Sequence, residues 1–235
     1  MRILVSLFVV GLMATVAGAD VYTSAGPNAV GTGSPDLTRV DEYQWDDGTS
    51  ENSVGLTAGG TLWWINHFAV TGGLTQITGV STCFGSPSFP GYAGVVPGQQ
   101  FDVYVWGDDT GDADPTNGAG CVLLGTATGA ALATSIDTDV LQTVPLGVDL
   151  TGYTNFYIGA SVTHVAPSYP APLDQTTPQH HSWVGFGAPL PTHLSGCINV
   201  DMYFPGNWLL RADAVPEPAS LALLGLGALA LLRRR

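Results

Sequence analysis

Phe101-Asp102-Val103-Tyr104-Val105-Trp106 alternates along its length, placing Phe101, Val103 and Val105 on one face of an extended strand. Asn155-Phe156-Tyr157-Ile158-Gly159-Ala160-Ser161-Val162 repeats the pattern, with Phe156, Ile158, Ala160 and Val162 inward. A third β-like run covers 62–70, where adjacent Trp63 and Trp64 must face opposite ways, so at least one is core. Shorter runs follow at 74–82, 121–128, 140–150, 182–186 and 207–212, each bounded by turn residues. Only 129–136 hints at a helical period, and it is short. With 31 Gly and 16 Pro in 235 residues the chain does not suit a helical bundle, and at 45% hydrophobic it is too apolar for disorder. The pattern predicts an all-β fold, an antiparallel β-sandwich of jelly-roll type, with an immunoglobulin-like arrangement as the open alternative. The stretch 83–98, with Pro87, Pro90 and Pro97, reads as a long exposed connection. The stretch 166–179, with Pro167, Pro170, Pro172 and Pro178, reads as unable to form a central strand.

The two ends differ from this domain. Met1-Arg2, an apolar core over 3–16 and the small residues Ala17-Gly18-Ala19 have the form of a signal peptide cleaved before Asp20. At the other end stand Val215-Pro216-Glu217-Pro218, an apolar run over 219–232 and Arg233-Arg234-Arg235. The prolines fix an extended, accessible tripeptide. The fourteen apolar-run residues, as a helix rising about 1.5 Å per residue, span roughly 21 Å, short of a hydrocarbon core of about 30 Å. Snorkelling arginines recover part of the deficit, and their charge marks the cytoplasmic side. The three-part tail resembles the PEP-CTERM sorting signal of bacterial proteins handled by exosortase, a membrane-embedded cysteine transpeptidase. That resemblance assigns sorting roles to Pro216, Glu217, Pro218, Arg233, Arg234 and Arg235. It implies an exosortase-like partner, transient membrane anchoring through a short C-terminal hydrophobic helix, and an exported location in the cell envelope, at the surface or outside the cell. The expected organisation is a signal peptide at 1–19, an exported sandwich at 20–213 and the sorting signal at 214–235. Within the sandwich, 45–52, 103–108 followed by Asp114-Pro115, and 206–212 are similar to a β-sandwich module of secreted bacterial proteins. That similarity implies an accessory or surface domain spanning 42–212 and no catalytic one.

Between Asp20 and Val215 the chain has two cations, Arg39 and Arg211, against eighteen of its nineteen carboxylates, and it has no lysine. Phosphate binding needs Lys and Arg to displace counterions, so nucleic acid is excluded as a partner. The densest acidic stretch, 108–118, offers Asp108, Asp109, Asp112, Asp114 and Asn117 as oxygen ligands for calcium, set against the plainer reading of a solvated turn. It lacks the spacing and terminal Glu of an EF-hand. Asp46-Asp47-Gly48 reads as a turn. The five histidines show no metal-ligand spacing, and neither Cys-x-x-Cys nor Gly-x-Ser-x-Gly occurs.

Three cysteines in an exported chain imply one disulfide and one thiol, or an intermolecular link. Of the three pairings, Cys83 with Cys121 closes the shortest loop and is the expected bridge. Trp63, Trp64, Trp106, Trp183 and Trp208 are enough to build a stacking platform for sugars, but they also suit a sandwich core. Two functions therefore stand as expectations. The first is a non-enzymatic envelope or extracellular-matrix protein, processed at its tail and released or joined to surface polysaccharide. The second is a carbohydrate-binding or glycan-active module delivered by the same route.

Overall fold

The computed structural model describes residues 22–24, 42–116, 120–187 and 194–216. Segments 1–19 and 219–232, together with Asn117, Glu217, Pro218 and the terminal arginines, lie outside the described residues. Strands are numbered in chain order: β1 (Tyr22–Ser24), β2 (Glu42–Tyr43), β3 (Asn52–Leu56), β4 (Gly60–Ala69), β5 (Gln76–Thr82), β6 (Gln100–Asp108) and β7 (Cys121–Ala130). They continue with β8 (Gln142–Asp149), β9 (Asn155–His164), β10 (Ala171–Asp174), β11 (Ser182–Phe186), β12 (Ile198–Asn199), β13 (Asn207–Trp208) and β14 (Leu210–Val215). A six-stranded sheet has the order β12-β11-β4-β9-β6-β7, and two four-stranded sheets run β1-β3-β10-β13 and β2-β14-β5-β8. All named pairings are antiparallel. The chain passes from β4 to β5, back to β6, and from β8 to β9, crossing between sheets, which makes the architecture a sandwich.

The strand alternation sorts side chains as the sequence implies. Phe101, Val103 and Val105 join Phe156, Ile158, Ala160 and Val162 in the central core with Trp64, Trp208, Ile77 and Val80. Trp63 faces the other way, into a second buried cluster on the outer side of the six-stranded sheet with Ile65, Tyr104, Trp106, Tyr157 and Trp183. The helical hint at 129–136 reduces to one 3-10 turn, Ala133–Ser135. The connection at 83–98 is exposed at Pro87, Pro90 and Pro97, but Cys83 and Phe84 at its start are fully buried.

One expectation is overturned. The proline-rich 166–179 does contribute a strand, β10, flanked by β3 and β13. It is only four residues long and meets β13 over two pairs, so few ladder donors are required of it. Pro172 still supplies its carbonyl, which accepts from the Leu209 N–H at 3.2 Å. A strand tolerates a proline where the ladder does not use that residue's missing donor.

Registers fix the geometry of one pole. Ala69 pairs with Asn155 and Asp108 with Cys121 in the large sheet, while Gln76 pairs with both Val215 and Asp149 in the smaller. The short links 70–75 and 150–154 join the two sheets there, tied by the Val70 N–H to the Thr154 carbonyl at 2.8 Å and the Leu150 N–H to the Thr75 carbonyl at 2.7 Å. The end of β14 and the acidic loop after β6 therefore share one pole.

Candidate functional site

The end of β14 is where the domain meets its tail. Residues Leu210 to Val215 pair along β5, with a bulge between Asp213 and Ala214, and Ala212 and Asp213 also pair with β2. Ala214 is buried, whereas Val215 is 44% exposed and Pro216 is exposed. Ordered pairing thus continues to the residue before Pro216. Pro216, the last described residue, therefore stands at that pole directly after the strand.

The acidic loop at the same pole is held by its own carboxylates. Asp108 is 4% exposed. Its Oδ1 accepts from the Thr110 N–H and hydroxyl and from the Gly111 N–H at 2.8–3.0 Å, and its Oδ2 accepts from the Ala113 N–H at 3.0 Å. Asp112 Oδ1 accepts from the Asp114 N–H at 3.1 Å, and Asp114 Oδ1 from the Thr116 N–H at 2.9 Å. Each carboxylate thus closes a turn onto the backbone ahead of it. Asp109 is exposed. Among the described residues no group of three or more His, Cys, Asp or Glu side chains is arranged to hold a metal ion. Of the residues expected to ligate calcium, Asp108, Asp112 and Asp114 accept hydrogen bonds from loop donors.

Asp46-Asp47-Gly48 does form a turn, with Gly48 at φ +94° and its N–H donating to Asp46 Oδ1 at 3.0 Å. The turn also has a partner not apparent from the sequence. Arg211 on β14 donates from Nε to both Asp46 oxygens at 3.1 Å, and from Nη2 to Asp46 Oδ1. Its Nη1 lies 3.6 Å from Glu42 Oε2. Arg211 is the sole lysine or arginine among the described residues, and it is spent inside the fold.

The outer aromatic cluster covers the centre of the six-stranded sheet. Glycines make the space for it: a Cβ on Gly159 would sit 2.7 Å from the Trp106 ring, and one on Gly185 would overlap the Trp63 ring. His67 (β4), Tyr157 (β9) and Trp106 (β6) form a row across three adjacent strands. His67 Nε2, the Tyr157 hydroxyl and Trp106 Nε1 are all buried without a hydrogen-bond partner. His67 Nδ1 lies 3.4 Å from His181 Nδ1. Burial, then the neighbouring His181, lowers the His67 pKa to about 4. His180 lies on the surface, its Nδ1 2.7 Å from Asp201 Oδ2. Trp63, Trp64, Trp106, Trp183 and Trp208 are all buried, and Trp45 is half-buried and stacks with the rings of Phe68 and His181.

The cysteines correct the expected bridge. Cys83, Cys121 and Cys197 are buried thiols. Cys83 follows β5 and lies near Asp139, Asp46 and Arg211. Cys121 opens β7 in the other sheet and belongs to the outer aromatic cluster, as does Cys197. The shortest loop in sequence joins strands of different sheets, so Cys83 and Cys121 are held apart.

Comparison with known families adds the deciding observation for the tail. Residues 214–235 match the PEP-CTERM protein-sorting motif. The tail is a PEP-CTERM sorting signal. Its first residues, Ala214 and Val215, are the last of β14, so the signal is grafted directly onto a sheet strand. Such a signal marks an exported protein directed to an exosortase and the cell surface. No curated protein matches the chain. Among solved structures, the cysteine protease and lectin-like domains of Cwp84, a surface-layer-associated protein of Clostridium difficile, are similar at 11% identity and a TM-score of 0.45. That match covers 76% of this chain and 37% of the other. A second structure, the clostridial Cwp84 protease after propeptide cleavage, is similar at 12% identity and a TM-score of 0.40, covering 67% of this chain and 36% of that one.

Proposed function

We propose that this chain is a non-enzymatic cell-envelope or extracellular-matrix protein whose sandwich is exported and then processed at the PEP-CTERM tail by an exosortase-like transpeptidase. The observation that carries the reading is the continuity of β14 with the sorting motif: Ala214 and Val215 belong to both. A folded domain ending there presents Pro216 in the open beside its own rim. The acidic composition opposes adhesion to anionic lipid headgroups. A carbohydrate-binding module works by presenting aromatic rings to sugars. Here five tryptophans serve as packing, and the half-buried Trp45 stacks with the rings of Phe68 and His181.

The test is a variant of the full-length protein with Pro216→Ala, Glu217→Ala and Pro218→Ala, expressed in its native host. The reading expects an unprocessed precursor retained in the membrane fraction, with the wild-type protein processed. Identical fractionation and mass for both proteins would reject it. Binding or hydrolysis of glycans by the purified sandwich would favour the glycan-directed alternative.

A further inference from the structure

Cys121 and Cys197 lie 76 positions apart in sequence, yet both belong to the buried cluster on the outer face of the six-stranded sheet. The segments carrying them meet independently of the sulfurs. Asp114 and Thr116, from the loop that leads into Cys121, line one surface pocket together with Cys197, Ile198 and Trp183. The two thiols are also within electrostatic range, since Cys121 is one of the two influences that raise the Cys197 pKa. Cys83 is elsewhere, beside Asp139, Asp46 and Arg211.

We infer that Cys121 and Cys197 form the disulfide of the exported protein, joining the start of β7 to the turn at 194–197 within the outer aromatic cluster, and that Cys83 stays a buried thiol. The inference rests on the export reading only for its oxidising compartment. The electron pair goes to a disulfide-bearing oxidant. One cysteine thiolate displaces a sulfur of that oxidant to give a mixed disulfide. The second thiolate then attacks this chain's sulfur, forming the Cys121–Cys197 bond and releasing the oxidant as two thiols. The two protons lost by the cysteines end on those thiols. Burial pushes the Cys121 thiol up to about 12, and Cys197 is raised as well. Thiols so protonated are poor nucleophiles, so the bond forms while the domain is closing.

The experiment oxidises purified, denatured and reduced protein with oxidised glutathione during refolding, alkylates the remaining thiols after denaturation, and maps the peptides by mass. The expected product links Cys121 to Cys197 and carries a single alkyl group, on Cys83. Reduction should lower the melting temperature of the wild type and of Cys83→Ser by about 10 °C, the scale of a long-loop crosslink in a domain this size. It should leave Cys121→Ser and Cys197→Ser unchanged. Three alkylated cysteines, or a link that includes Cys83, would overturn the inference. Because this refolding needs no export, failure here is separable from failure of sorting. A link formed in the tube and missing from host-derived protein would count against export instead.

Discussion

Arg211→Ala is the most informative single change. Arg211 is 8% exposed and Asp46 is 0% exposed, so their pairing is shielded from solvent and salt. The guanidinium contacts both Asp46 oxygens and approaches Glu42, binding β14 to the first residue of β2 and to the turn after it. Without it, Asp46 keeps the Gly48 N–H but loses the one lysine or arginine countercharge among the described residues. Removing one member of a buried pair costs about 3–5 kcal/mol, mostly for the charge left behind. With a urea slope of about 1–3 kcal/mol per molar, the unfolding midpoint should fall by at least about 1 M. The matched control is Arg211→Met with Asp46→Asn, which removes both charges and keeps much of the volume. It should lose less than half as much. Urea unfolding of the mature protein, followed by tryptophan fluorescence, reads both. A midpoint shift below about 0.3 M for Arg211→Ala, or a double variant weaker than the single one, would refute the reasoning.

Other changes probe the remaining features. Tyr157→Phe removes a buried hydroxyl that has no partner, so its midpoint in urea should be unchanged or higher; a loss above about 1 kcal/mol would reveal a hidden hydrogen bond. Gly185→Ala should destabilise by about 1–3 kcal/mol by driving a methyl into the Trp63 ring, while Gly147→Ala, with open space around it, should cost far less. The His67 pKa, depressed in the fold, means that the unfolded chain binds more protons, so this group loses stability as pH falls from about 6.5 to about 4. Burial raises the Asp174 pKa to about 7, which acts oppositely, costing stability as pH rises from about 3.8 to about 7. Asp174→Asn should therefore steepen the loss of stability on acidification from pH 7 to 4, and His67→Gln should flatten it, as read by melting temperature against pH.

What the sequence revealed follows from the physics of short range. Period-two alternation is local, so the inward sets on β6 and β9 and the opposed faces of Trp63 and Trp64 could be read directly. The second aromatic cluster had a signal too: Tyr104, Trp106, Tyr157 and Trp63 occupy the outward parity of three strands, marking strands buried on both sides. Arg211–Asp46 joins residues 165 positions apart, and only the scarcity of cations hinted that Arg211 was committed. The Cys83–Cys121 expectation failed because loop length measures closure entropy, whereas pairing depends on which sheet each strand enters. Composition could not show that Asp108, Asp112 and Asp114 of the acidic loop turn back onto their own backbone. The proline rule failed at β10 because the strand is too short to need every donor.

The central claim is that this sandwich is exported and processed at a tail fused to β14. It is tested most directly by intact mass and C-terminal peptide identification on protein from its native host. The account predicts a mature N-terminus at Asp20 and a C-terminus within 215–218, either free or bearing a glycan remnant that would show attachment. Protein in the membrane fraction that still ends in Arg233-Arg234-Arg235 would contradict it.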